Sequence, residues 1–350
     1  MLIKDLIQTP EKVWRSIRWK DGVICACGCK DIYHLGDGRY KCKECRKIFS
    51  DTTGTLLHNS KIPTEKWLYA IYKMSTSKGI STMELKGDIE VTYKTAWMMQ
   101  QKIRYAMNQD SINLSGISRM DEAYIGGWKG MHFKKKIAYM KENGFMDDDW
   151  YERGDLMAAV SHKRAHIVSM MDENGRTKIL HTPNPITKDV IKWIVERENI
   201  THLVTDESKL YQGLNIPVSQ SNHSKHIFMT EDGFTSNINE NIFSWVKRKW
   251  FGIYTHTSQK YLQLYLNQMC FSYNHTGEDK IQRFEYLCAL CGNVSVTTED
   301  IFMYDYLEPY KEITDRYQEE EDKALEAIKE CDIIVESIKD KYHRTYKPKK

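Results

Sequence analysis

The sequence lacks the features that would place a chain in a membrane or export it. No apolar run approaches the roughly 20 residues that a membrane-spanning helix needs. Met1–Pro10 also lacks the basic start and long apolar stretch of a secretory signal. The formal net charge is only +3, so the overall charge indicates little about partners. We therefore expect a cytoplasmic protein, or a nuclear one in a eukaryotic host, with no membrane partner.

The charge that is present is unevenly distributed along the chain. Residues 1–110 carry 19 Lys and Arg against 12 Asp and Glu, whereas the remainder carries a small negative excess. A basic front part is typical of a nucleic-acid-binding module. The length of 350 residues predicts two or three domains.

Five of the nine cysteines lie within residues 25–45, which is typical of a metal site in a reducing compartment. Cys42 and Cys45 form a C-x-x-C knuckle that can bind Zn²⁺, and residues 33–40 can supply a hairpin between the two clusters. The first cluster is irregular, so the other two of four ligands stay open among Cys25, Cys27 and Cys29. The alternative is a surface loop of free thiols.

Residues 59–109 show helical periodicity. Apolar residues recur at helical spacing in Lys66–Ser77 and Thr92–Met107, and Ser81 with Glu84 gives a capping-box pattern between them. This order predicts a helix-turn-helix. Its recognition helix would begin near Thr92 and present to DNA the side chains of Tyr93, Lys94 and Trp97. A helical spacer without DNA contacts is the alternative.

Residues 115–280 alternate strand-like and helical segments, which predicts an α/β domain with a mixed sheet. The predicted strands are Ile117–Ile125, Leu156–His162, Arg164–Met171, Arg176–Thr182 and Ile200–Thr205. The predicted helices are Ile186–Glu198 and Ser236–Trp250, and the charged stretch Met131–Gly154 is predicted to be an insertion.

The C-terminal segment is charged and helical in pattern. Apolar or small residues recur at heptad spacing within Glu319–Lys341. This seam could pair two protomers, and an amphipathic helix lying on its own domain is an equal alternative. The basic tail Lys347–Lys350 is predicted to be disordered.

Three acidic residues lie where a fold of this kind could bring them together. Asp121 follows the strand-like run Ile117–Met120, and Asp206 ends an apolar strand. Glu240 lies on the later helix, on the side opposite its predicted buried stripe. Such a set can bind two Mg²⁺ or Mn²⁺ ions, which suits attack on a phosphodiester. For any one of these acids, a solvated surface charge is the alternative.

Further motifs follow one another in a fixed order: Cys42–Ser50, Gly79–Ser81, Tyr93–Trp97, Asp121–Gly127, Val204–Asp206, Asn222–Ser224 and Thr235–Trp245. Over about residues 15–275, this order resembles the DDE transposases of bacterial insertion sequences in the Merlin-related, ISXO-like group. The resemblance implies a zinc ribbon and a ribonuclease H-like catalytic domain. It also implies a catalytic triad that binds magnesium, at Asp121, Asp206 and Glu240.

The same resemblance implies an activity and its partners. The enzyme would cleave the ends of its element and join the freed 3′-hydroxyl to target DNA. Terminal inverted repeats and target DNA would be its partners, and at least a dimer would pair two ends in the cytoplasmic nucleoid. Two alternatives are a catalytically silent DNA-binding regulator and a metal-dependent nuclease of the same fold.

Several other residues are candidates for supporting roles. A basic run is predicted to neutralise DNA phosphates, unless it is a solvated helix face, and comprises Lys247, Arg248 and Lys249. Asn237 would orient Glu240 or contact DNA, and Glu122 and His223 could assist the site. Gly126–Gly127 predicts a tight turn. The chain has Asn267–Gln268 where the family carries an acidic pair, which predicts a weakened salt bridge.

Together these patterns predict four regions. They are a zinc ribbon over residues 1–58, a helix-turn-helix over 59–112, a ribonuclease H-like DDE catalytic domain over 113–295 and a charged helical tail over 296–350.

Overall fold

The computed structural model describes residues 8–110, 112–125, 165–183, 186–206, 208–221, 237–254 and 257–315, with the backbone alone at 237–240. Several predicted segments lie outside the described residues: Gly126–Gly127, Met131–Gly154, Leu156–His162, Glu319–Lys341 and Lys347–Lys350. Within the described part, no helix is long and apolar enough to cross a membrane.

A small antiparallel sheet follows the first helix. Helix α1 comprises Pro10–Arg18, and the sheet contains β1 (Ile32–His34), β2 (Tyr40–Cys42) and β3 (Ile48–Phe49) in that order. Tyr33 pairs with Lys41, which confirms the hairpin predicted over residues 33–40. Tyr40 and Phe49 pack with Cys25 and Cys42 in a core of their own. This ribbon therefore folds around its cysteines.

The carboxylate of Asp51 joins the ribbon to α1. Its Oδ1 accepts hydrogen bonds from Trp19 Nε1 at 2.7 Å and from the Tyr40 hydroxyl at 2.8 Å. Its Oδ2 accepts from Arg15 Nε at 2.8 Å. Burial, together with the Asp51 charge, raises the pKa of Tyr40 to about 12. Because one side chain holds three donors, Asp51 fixes the orientation of the ribbon on α1.

We expect Asp51→Ala to lower the free energy of unfolding by about 3 kcal/mol, because the buried Tyr40 hydroxyl and the partly buried Trp19 indole lose a charged acceptor. Urea denaturation followed by tryptophan fluorescence measures the loss. Asp37→Ala is the matched control, since Asp37 is exposed and its ion pair and amide hydrogen bond, both with Arg39, should contribute little. Equal stabilities of the two variants would contradict the role given to Asp51.

Three helices follow the ribbon: α2 (Thr64–Ser75), α3 (Thr82–Asp88) and α4 (Tyr93–Met107). The Ser81 hydroxyl caps α3 by accepting from Glu84 N, and the Thr92 hydroxyl caps α4 by accepting from Thr95 N. Glu90, with a φ of 50°, lies in the turn between α3 and α4. A short helix, a turn and a longer helix therefore occur where the sequence predicts them.

Among the described residues, five strands form a mixed sheet: β4 (Ser115–Ile125), β5 (Ala165–Asp172), β6 (Thr177–Thr182), β7 (Asn199–Asp206) and β8 (Val218–Ser221). Their order is β6-β5-β4-β7-β8. The first three pair antiparallel, whereas β7 runs parallel to both β4 and β8. This is the ribonuclease H-like arrangement, which confirms the predicted fold class.

Helices cover both faces of this sheet. Helix α5 (Lys188–Val195), capped by Thr187, packs Ile191 and Ile194 with Met120 of β4. The opposite face carries α6 (Asn237–Lys249), a π-helical turn (Trp250–Tyr254) and α7 (Gln259–Asn274). On that face Ile125 and Ile167 pack with side chains of α6 and α7. The sheet is thus buried on both sides, as its apolar strands require.

Helices α8 (Lys280–Asn293) and α9 (Thr298–Phe302) share a core with the helix-turn-helix region. In this core, Leu287 of α8 packs among residues that include Ile71 of α2 and Ile103 of α4. The division of the chain at residues 58, 112 and 295 remains a proposal. In the structure, α8 and the helices of residues 64–107 stabilise one another.

A buried arginine joins α4 of the helix-turn-helix region to α7, which covers one face of the mixed sheet. The fully buried Arg104 of α4 donates from Nε to Gln268 Oε1 of α7 at 2.9 Å and lies 3.8 Å from the ring centre of Tyr265. Gln268 is one of the two amides at which the resemblance predicts a weakened salt bridge. A neutral acceptor and an aromatic ring hold this cation.

Residue 79, which lies between α2 and α3 and faces the π-helical turn, must be a glycine. Its φ is +75°, and a Cβ there would lie 2.9 Å from the Tyr254 hydroxyl. A side chain would therefore be strained and would also collide with the π-helical turn.

Two buried histidines on neighbouring strands make the stability of the sheet depend on pH. Burial lowers the pKa of His166 to about 4 and that of His181 to about 3. His181 also stacks on Tyr306 with ring centres 3.7 Å apart. An unfolded histidine has a pKa of about 6.5. The unfolded chain therefore binds more protons below pH 6.5, and the stability that comes from neutral histidines is lost as the pH falls from there.

We expect His181 alone to reduce the free energy of unfolding by about 2 kcal/mol between pH 7 and pH 5. Urea unfolding at both pH values should show a smaller pH effect in His181→Phe, which keeps an aromatic ring on Tyr306. His58→Phe, at an exposed position, should leave the pH effect unchanged. His275, which bonds to Asp110, has a raised pKa, so its contribution to stability increases as the pH falls. The effect of His181 is therefore obtained from the difference between the variant and the wild type. A pH effect in His181→Phe as large as in the wild type would contradict this prediction.

Candidate active site and nucleic-acid interface

Asp121 and Asp206 lie at corresponding positions of two central parallel strands. Arg119 of β4 pairs with Val204 of β7, and each aspartate lies two residues further along its strand. The alternation of β4 places Met120 on the α5 side, so Asp121 lies on the α6 side with Ile125. The sheet therefore brings together two acids that are 85 residues apart in the sequence.

Glu122 joins the two aspartates. Asp121, Glu122 and Asp206 can each offer a carboxylate oxygen within 4.8 Å of the others, and all three are partly exposed. Backbone amides position two of them: Asp121 Oδ1 accepts from Glu122 N at 2.8 Å, and Asp206 Oδ1 accepts from Ser208 N at 3.0 Å. Three carboxylates at this separation form a set of hard oxygen donors that fits a divalent cation such as Mg²⁺.

Burial and the neighbouring negative charges raise the pKa of Glu122 to about 7. The Tyr211 side chain lies beside Glu122, and burial followed by the Glu122 charge raises the pKa of the Tyr211 hydroxyl well above its usual value. A bound cation would relieve this electrostatic strain. Tyr211 was not predicted from the sequence, since a tyrosine five residues after Asp206 carries no recognisable motif.

Glu240 lies on α6, which packs against β4 and β5. Its side chain lies outside the described residues, as does that of Asn237, and His223 lies outside them altogether. Ser244 and Lys247, one and two turns further along α6, are exposed, whereas Ile242 and Val246 are buried. The helix thus has the buried and exposed faces that the sequence predicts.

In the ribbon, four thiols converge: Cys25, Cys27, Cys42 and Cys45 lie with their sulfur atoms within 4.8 Å of one another. The Cys25 and Cys45 sulfurs are 3.5 Å apart, and the amide of Cys45 donates to Cys42 Sγ at 3.4 Å. Four thiols around one point fit a tetrahedral Zn²⁺. The structure therefore favours Cys25 and Cys27 as the pair from the irregular first cluster.

Cys29 is the thiol that this set omits. It lies close to Cys42, but its Sγ accepts from Asp31 N at 3.3 Å. Its place in the chain made it as good a candidate as Cys27, because spacing alone does not show which way a loop turns its side chains.

The predicted DNA contacts divide into exposed and buried groups. Tyr93 and Lys94, in the first turn of α4, are exposed, as are Lys247 and Arg248 of α6. Trp97 is only partly exposed, because it packs edge-to-face on Tyr261 with ring centres 5.1 Å apart. Its main contacts are therefore internal.

The prediction that Lys249 neutralises DNA phosphates requires a correction. Only 8% of it is exposed, and its Nζ donates to the carbonyl oxygen of Lys78 at 2.9 Å. Burial lowers its pKa to about 8. Lys249 therefore attaches α6 to the loop after α2 and does not belong to a phosphate-binding surface. Helical rotation separates it from Lys247 and Arg248, although the three are consecutive in the sequence.

The fold and the site define a ribonuclease H-like domain with an acidic cluster on two central strands, within β4 and at the end of β7. Residues 113–274 match the family described as the ISXO2-like transposase domain. This part of the chain is therefore similar to insertion-sequence transposases of that family, which confirms the predicted resemblance.

A relative supports the same assignment. A protein described as an uncharacterized protein in transposable element ISH50, from Halobacterium salinarum, is 33% identical over 124 residues. The aligned region covers 33% of this chain and 41% of the relative. The chain thus spans less than half the length of the relative that it matches.

Proposed function

We propose that this chain is a DDE transposase that cleaves the ends of its insertion sequence and joins the freed 3′-hydroxyl to target DNA. The observation that supports it most is the approach of the Asp121, Glu122 and Asp206 carboxylates within a domain of the transposase family. A domain that held these acids apart would not support phosphodiester chemistry.

In this proposal, Asp121 and Asp206 bind the metal ions, and Glu240 completes the triad from α6. Two divalent ions, Mg²⁺ or Mn²⁺, would activate the attacking oxygen and stabilise the leaving one. Glu122 adds negative charge beside the two aspartates and is placed to share in binding the ions. The backbone amides at Glu122 and Ser208 hold the aspartate side chains in position for this task.

The proposed DNA surface combines several elements. Lys247 and Arg248 on the exposed face of α6 would contact phosphates near the active site, with Asn237 and His223 as further candidates. Tyr93 and Lys94 at the start of α4 would contact the terminal inverted repeats, together with the zinc-bound ribbon. At least two protomers would be needed to bring two ends together.

The test is a cleavage and joining assay on a duplex that carries the end of the insertion sequence, with Mg²⁺, Mn²⁺ or EDTA. The proposal expects cleaved ends and joined products that require the metal ion. Cleavage without joining would point to a nuclease, and binding without cleavage would point to a DNA-binding regulator. Cleavage that persists in EDTA would contradict the metal-dependent mechanism.

A further inference from the structure

A cavity of about 340 Å³ lies beside the proposed recognition helix. Its walls are the segment 56–62, which connects the ribbon to α2, the N-terminal half of α4, and Thr298 at the start of α9. The volume lies at the lower end of the roughly 300–1,000 Å³ range of small-ligand sites. The cavity thus adjoins both parts of the chain that are proposed to contact DNA.

The residues that line this cavity give it a positive charge. Lys61, Lys94 and Lys102 line it, and no lining residue is acidic. None of the three lysines forms an ion pair with any of the residues that the structure describes. Asp300, whose charge acts on Lys102, is engaged in capping α9 through Thr297 N at 2.7 Å. A cavity with three cations and no acid attracts an anion.

The floor of the cavity is apolar. The partly exposed Ile62 and Met98 line it, above the buried Trp67 and Met99. The indole Nε1 of Trp67 already donates to Ser60 Oγ at 2.8 Å, so this ring offers the cavity only its apolar surface. A free inorganic anion would gain nothing from such a floor, whereas a sugar attached to a phosphate would.

Lys94 connects the cavity with the part of α4 that is proposed to contact DNA. It lies in the first turn of α4 beside the exposed Tyr93, and it also lines the cavity. A DNA strand that passes the start of α4 would bring its backbone within reach of Lys94 first and then of the partly buried Lys102.

We infer that this cavity binds one backbone phosphate of the DNA, with the attached deoxyribose against the apolar floor. This inference rests on the proposed function, since it requires that α4 contact DNA. The contact is with the backbone and therefore does not depend on base sequence. It would fix the position of α4 relative to the segment that follows the ribbon.

The experiment compares Lys102→Met and Lys61→Met with the wild type. Methionine keeps an apolar side chain of similar length and removes the charge. Fluorescence anisotropy would measure binding to two labelled duplexes, one with the insertion-sequence end and one of unrelated sequence, over a range of salt concentrations. Lys188→Met is the matched control, because Lys188 is exposed at the start of α5.

We expect each cavity variant to bind both duplexes about tenfold more weakly, with the slope of log K against log salt reduced by about 0.9. Lys188→Met should bind like the wild type. Binding and slopes that stay unchanged in both cavity variants would overturn the inference, and so would a loss confined to one duplex. A wild type that binds neither duplex would instead count against the proposed function itself.

Discussion

Asp206→Ala is expected to lower the rate of strand cleavage by about 10³-fold or more while DNA affinity stays within about threefold of the wild type. The substitution removes one carboxylate from a cluster that has no other ligand at the end of β7 among the described residues. A metal ion contributes several kcal/mol to the stabilisation of a transition state, and each 1.36 kcal/mol corresponds to tenfold in rate. Rapid-quench kinetics of cleavage, combined with a binding titration, separates the two effects.

The matched control is Asp189→Asn, which removes an exposed carboxylate from the first turn of α5. This helix packs on the sheet face opposite to α6. The control should cleave at the rate of the wild type. If Asp206→Ala also cleaved at that rate, Asp206 could not belong to the catalytic centre.

If the ribbon binds zinc as proposed, Cys27→Ser is expected to lose the ion, whereas Cys29→Ser should keep it. Cys27 belongs to the set of four converging thiols, and Cys29 bonds to the Asp31 amide instead. Binding of a structural zinc ion contributes on the order of 10 kcal/mol in small zinc domains, and much of this is free energy of folding. Loss of a ligand should therefore lower zinc affinity by at least about 100-fold and unfold the ribbon.

Zinc content by atomic emission spectrometry, with thermal unfolding as the second readout, measures both variants. The two substitutions lie two residues apart and make the same chemical change, so each controls for the other. A chelator added to the wild type should reproduce the behaviour of Cys27→Ser. Retention of zinc by Cys27→Ser and its loss from Cys29→Ser would show that Cys29, and not Cys27, is the ligand. That result would contradict the arrangement described above.

Much of the fold could be predicted because its signals are local. The capping-box pattern at Ser81 and the helical periodicity that begins near Thr92 and Ile186 identified helix starts that the structure confirms within a residue or two. The apolar run that ends at Asp206 identified β7, since a strand buried on both faces reads as a continuous apolar stretch. Strand β8 could not be found in this way, because Val218 is its only apolar residue.

The site was less predictable because it depends on contacts between distant residues. The choice between Cys27 and Cys29 depends on how one loop turns, and the burial of Lys249 depends on the carbonyl of Lys78, far away in the sequence. The contact of Trp97 with Tyr261 joins α4 to α7 and is equally invisible to helical periodicity. Asp206 could be chosen because an apolar strand ends there, and Asp121 because it follows a strand-like run and matches a family motif, although β4 continues beyond it to Ile125.

The measurement that tests the central claim most directly is cleavage by Asp206→Cys in Mg²⁺ and in Mn²⁺. Mg²⁺ requires hard oxygen ligands, and a thiolate is a softer ligand that Mn²⁺ tolerates better. If the side chain at residue 206 binds a catalytic metal ion, Asp206→Cys should be inactive with Mg²⁺ and recover at least about tenfold with Mn²⁺, while Asp206→Ala stays inactive with both. Cleavage by Asp206→Cys that matches the wild type in Mg²⁺, or equal cleavage by the two variants in Mn²⁺, would contradict a metal-binding role for Asp206.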